Sequence, residues 1–172
     1  MSKNWKIAEK ITGLILISWG IFSLIISIWN IYLMYDFWFV RLENSWNKLS
    51  LYKITKNHLV NLILHILTLF AGFKLLSNKK TGWILGVVIL LYQTINFILL
   101  MFTFDIKEDI NGETINETLF FSLSSLLPLI FFTLFLFLFL ISKQIRTYYK
   151  PTKSNWIIIF CLLTVLLVNK II

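Results

Sequence analysis

Charge is scarce in this chain. Of its 172 residues only 14% are charged, against 58% hydrophobic and 17% aromatic, whereas a water-soluble domain carries about 25% charged residues. That shortage excludes an ordinary soluble domain, and the mean hydropathy of +0.82 agrees. Cysteine is almost missing as well. Cys161 by itself can form neither an internal disulfide nor a CxxC pair, which excludes thiol oxidation chemistry within one chain. Pro128 and Pro151 are the only prolines and leave little disordered linker. Acidic residues number eight against sixteen basic ones, a net charge of +8. In a soluble protein this excess would suggest nucleic acid. Here lysines flank apolar blocks, as membrane topology requires, and no nucleic-acid partner is expected.

What is present is a series of long apolar runs. Residues 11–30, 59–76, 82–104 and 119–141 are each about the length that crosses a hydrocarbon core of about 30 Å. A shorter run, 156–172, makes a fifth candidate. The fold class is therefore an all-α, polytopic helical bundle with four or five spans, forming one membrane domain over residues 1–172. The first run is long for a signal peptide and no small-residue cleavage site follows it, so it reads as an anchor. Beyond Asn30 comes IYLMYDFWFV, which suits an interfacial segment because its rings are apolar and their tips prefer water. The stretch 41–56 reads as a short surface helix. Asn78 to Thr81 make a tight turn that forces the second and third runs into an antiparallel hairpin.

Charge placement orients the bundle. With the N-terminus cytoplasmic, Lys3, Lys6, Lys10, Lys74, Lys79, Lys80, Lys143, Arg146, Lys150 and Lys153 all face inward. The loop with Asp105, Glu108, Asp109, Glu113 and Glu117 then faces outward. The first outer loop, with Arg41, Lys48, Lys53 and Lys56, opposes this arrangement. The Lys-, Ile- and Asn-rich composition suggests an AT-rich bacterial genome, hence an inner (plasma) membrane; helical spans argue against an outer membrane. No internal repeat is evident.

Polar residues inside the runs fall in stripes. At about 100° per residue, His58, Asn61, His65, Thr68 and Gly72 share one face of the second run. Gly13, Gly20, Ser23, Ser27 and Asn30 share a face of the first. In the third, Gly82, Gly86 and Gln93 align, with Asn96 beside them, and Gly82–Gly86 is a GxxxG pair. Small residues let helix backbones approach, and amides and hydroxyls bond across the seam. The same stripes are candidates for a solute pathway. The fourth run is apolar on all sides, as expected of a lipid-facing helix. Pro128 should kink it, with Ser124 satisfying the freed carbonyl.

Catalytic chemistry is sparse. No Asp or Glu lies inside any of the five runs, which removes carboxylate dyads and helix-borne Glu-x-x-His metal sites. HExxH, G-x-S-x-G and the phosphate-binding G-x-x-x-x-G-K-[ST] are all missing. His58 and His65 sit about 10.5 Å apart along a helix axis, too far to share one metal whose ligand nitrogens lie about 2.0–2.1 Å away. Pairing His65 with Ser27 or Ser122 leaves the imidazole with nothing to orient it. The expectation is a non-enzymatic membrane protein with no catalytic residues, no metal and no cofactor. It would act through helix–helix association, as an accessory subunit of a membrane complex or as a homo-oligomer. A homo-oligomeric channel or carrier lined by Ser27, His65, Gln93 and Asn96 is the alternative.

Overall fold

A computed structural model describes residues 3–42, 48–103 and 116–171, with side chains described over 4–33, at 56, and over 58–101 and 126–168. The described secondary structure is entirely helical. It comprises α1 (Lys3–Leu42), α2 (Lys48–Leu76), α3 (Lys80–Thr103), α4 (Asn116–Leu140), α5 (Lys143–Tyr149) and α6 (Lys153–Ile171). Three helices are long and apolar enough to cross a membrane: Asn4–Leu33, His58–Leu76 and Lys80–Met101. Leu126–Leu140 and Lys143–Tyr149 make a fourth if the pair, bent by 51°, counts as one span. The expected fifth span falls short. The apolar helix Lys153–Val168 is about 24 Å long, less than a hydrocarbon core of about 30 Å.

Two expected boundaries shift. α1 does not stop near Asn30 but continues to Leu42, and neither glycine nor proline occurs between Gly20 and Leu42 to end it. The expected surface helix over 41–56 is not a separate element, because α2 already begins at Lys48. The sharp bend near the fourth run lies at Ile141–Ser142, beyond Pro128. Ser122, Ser124 and Ser125 lie outside the residues whose side chains are described, as does the acidic loop 105–115.

The chain divides into two compact units at Gly86/Val87, within α3. The first holds α1, α2 and the start of α3. Its helices α1 and α2 pack side by side and run antiparallel, since Gly13 meets Gly72 and Leu76 while Gly20 meets Leu69. α2 ends in a Schellman cap: Asn78 is left-handed (φ 53°), its N–H donates to the Leu75 carbonyl at 2.9 Å, and the Lys79 N–H donates to that of Lys74 at 2.8 Å. Gly82 then lies against the backbone of Lys74 and Leu75, where a β-carbon would stand 2.7 Å from Lys74 Cβ. Close approach, not dihedral freedom, is what requires glycine there.

The second unit runs from Val87 to Asn169. Val87, Val88, Ile89, Leu90 and Tyr92 of α3 are buried, together with Ile130, Leu136 and Leu140 of α4. Phe131 and Phe135 on α4 are two-thirds exposed, as a helix with an apolar, lipid-facing side would present them.

Candidate functional site: a small-residue seam between two helices

Among the residues whose side chains are described, the buried ones of α1 are Glu9, Thr12, Gly13, Leu16 and Gly20, which fall within an arc of about 100°. Those of α2 are Leu64, Thr68, Ala71, Gly72 and Leu75, an arc of the same width. Glycine lets these two faces meet backbone to backbone. A β-carbon on Gly72 would lie 2.7 Å from the Gly13 carbonyl oxygen and 3.0 Å from the Ile17 nitrogen. One on Gly20 would lie 2.8 Å from Leu69 Cγ. The buried hydroxyls cause no conflict in this apolar setting. Thr12 donates to the Ala8 carbonyl at 3.0 Å and Thr68 to that of Leu64 at 2.7 Å, each within its own helix.

The stripe read on α1 coincides with its buried face, but burial fades along it. Gly13 and Gly20 are buried, Ser23 and Ser27 half-buried, and Asn30 exposed. On α2 the buried face is turned by about 50° from the polar stripe, toward Leu64, Ala71 and Leu75. Thr68 and Gly72 are shared by both. His58 and His65 are half-buried and Asn61 is exposed. His65 Nδ1 is buried without a hydrogen-bond partner among the described residues. Asn30 on α1 and Asn61 on α2 are both exposed. Gly82 and Gly86 are buried, with Gly82 serving the α2–α3 turn. Gln93 and Asn96 are half-buried residues of the second unit.

Three features escape a reading by apolar blocks. Glu9 is fully buried on the seam face of α1, and the apolar helix Asn4–Leu33 includes it. A count starting at Ile11 places this carboxylate in the flank, yet helical phase sets it four residues before Gly13, on the same face. The run 11–30 itself holds no carboxylate, and Glu9 stands just before it. The second feature is Trp83, fully buried at the start of α3. The third is Thr94, whose hydroxyl lies 3.0 Å from that of Thr133 on α4. Thr94 donates across the interface while Thr133 donates to the Leu129 carbonyl at 2.9 Å.

The seam is built for packing, with own-helix hydroxyl bonds and a glycine-on-glycine crossing. Among the described residues no three His, Cys, Asp or Glu side chains gather as a metal site would require. Cys161 is free and exposed on α6. No protein-family model, curated protein or solved structure matches this chain.

Proposed function

We propose that this chain is a small, non-catalytic multi-pass membrane protein that works by helix–helix association, as an accessory subunit of a membrane complex or as a homo-oligomer. The observation that carries this reading is the pair of exposed amides, Asn30 on α1 and Asn61 on α2, among apolar residues. Gly13, Gly20 and Gly72 are used up in the α1–α2 seam, whereas these amides are exposed. A side-chain amide set against lipid gains most by bonding to a neighbouring helix, at about 0.6 kcal/mol per bond. Exposed Ile26 and Leu33, one turn to either side of Asn30, and Leu59 and Ile63 beside Asn61 supply the apolar surface that a partner helix or lipid covers. The charge distribution supports a cytoplasmic N-terminus, and the composition supports a bacterial plasma membrane.

Extraction in mild detergent followed by native mass spectrometry tests this reading. The expected result is a defined assembly, with itself or with a co-extracted membrane protein, that weakens in Asn30→Leu and Asn61→Leu variants. A monodisperse monomer unaffected by either substitution overturns it. So does solute or ion flux in reconstituted vesicles that is lost on Gln93→Leu, the outcome expected of a channel or carrier.

A further inference from the structure

We propose that the corner between α5 and α6 binds the phosphate headgroup of an anionic phospholipid. α5 is short and two-faced. Ile145 and Tyr149 are buried one turn apart, while Lys143, Arg146, Thr147 and Tyr148 are exposed. Two adjoining concavities, of about 580 Å³ and 400 Å³, open on that outer face and share Lys143, Thr147 and Lys150. Tyr148 lines the first, and Arg146 and Trp156 line the second.

The corner has a defined backbone. Lys150 is left-handed (φ 45°) and its N–H donates to the Arg146 carbonyl at 2.8 Å, which closes α5. Pro151 follows, and α6 opens on a side-chain cap. The Thr152 N–H and hydroxyl both donate to Asn155 Oδ1 at 2.9 Å. Lys143, Arg146 and Lys150 therefore stand on a fixed frame, in a stretch where no Asp or Glu occurs from residue 118 to 172. The guanidinium and ammonium groups suit a phosphate.

What selects a lipid over a soluble phosphate is the surface that continues from the corner. Trp156 lines the concavity, and Phe160, one turn further along the same face of α6, is 70% exposed. Ile157 beside it is 62% exposed. A headgroup held by Lys143 and Arg146 lays its acyl chains along that face. Tyr148 and Trp156 take the depth at which amphipathic rings settle, as in a basic helix lying in the interface.

Native mass spectrometry of the full chain in detergent, titrated with phosphatidylglycerol or with phosphatidylcholine of the same acyl chains, tests the proposal. Phosphatidylglycerol should form the tighter adduct. Each charge near an anionic headgroup contributes about fivefold, so Lys143→Gln with Arg146→Gln should weaken that adduct about 25-fold and leave phosphatidylcholine unchanged. Arg146→Lys, which keeps the charge, should retain most of the binding. Equal binding of the two lipids by the unaltered protein overturns the proposal, whatever the variants do. An equal loss from Lys6→Gln with Lys10→Gln, two exposed cations on α1, also overturns it by reducing the effect to net charge. Displacement of the lipid by comparable concentrations of inorganic phosphate would show a site for the free anion and reject the lipid.

Discussion

Replacing Gly72 with alanine puts a methyl group where α1 already stands. Its β-carbon would lie 2.7 Å from the Gly13 carbonyl oxygen, 2.7 Å from Ile17 Cγ1 and 3.0 Å from the Ile17 nitrogen. Ordinary contact begins near 3.4 Å, so relief needs a local separation of about 0.7 Å. Two of the three neighbours are backbone atoms, which no rotamer change can move. Overpacking of this kind costs about 1–3 kcal/mol, offset by the advantage of about 1 kcal/mol that alanine has over glycine in a helix. The expected net loss for Gly72→Ala is about 1 kcal/mol, and Gly72→Val should lose about 2–3 kcal/mol. The reverse substitution is milder. A β-carbon on Gly13 meets the Gly72 oxygen at 3.1 Å and Leu76 Cγ at 3.2 Å, and Gly13→Ala should be near neutral. Because both substitutions enlarge one contact, the double variant should depart from additivity. Unfolding in mixed micelles titrated with sodium dodecyl sulfate, read by fluorescence transfer between α1 and α2, gives these differences. A Gly72→Ala protein as stable as the parent, with Gly13→Ala the weaker of the two, would refute the close crossing.

Two further predictions concern other contacts. Gly82→Ala should lose about 2–3 kcal/mol and loosen the hairpin, because the added carbon runs into the backbone of Lys74 and Leu75. Hydrogen exchange at the Lys79 amide, bonded to the Lys74 carbonyl, should accelerate with it, and unchanged exchange would count against the turn geometry. Thr94→Val and Thr133→Val should show a coupling of about 0.6 kcal/mol in a double-mutant cycle, since their hydroxyls lie 3.0 Å apart. Zero coupling would mean that only the own-helix carbonyl bonds contribute.

Much of the seam on α1 was legible because glycine and serine recur at helical spacing in a run that is otherwise large and apolar. Gly13 and Gly20 are where the phase places them. On α2 the same rule misled, because polarity was taken as the mark of the inner face. Leu64, Ala71 and Leu75 fill it instead, and Asn61 faces out. In a bilayer the solvent is itself apolar, so hydrophobicity does not tell the inside of a bundle from its outside. Thr94 was invisible for a related reason. A threonine that bonds to its own carbonyl looks alike on any face, and only the position of Thr133 makes it a cross-helix bond.

The sequence by itself determined the helical secondary structure and the long apolar runs. Helices satisfy every backbone group within one segment, which apolar runs of this length require wherever water is excluded. It also marked the glycines, since a helix interior carries them at a cost of about 1 kcal/mol each unless something approaches closely. Tertiary structure decided what approaches. It set Gly72 on Gly13, turned α2 by about 50° from its polar stripe, and buried Glu9 on the seam face. It also folded Lys143, Arg146 and Lys150 into one basic corner. Those choices depend on the shape of the facing helix, a quantity that no single run of residues contains.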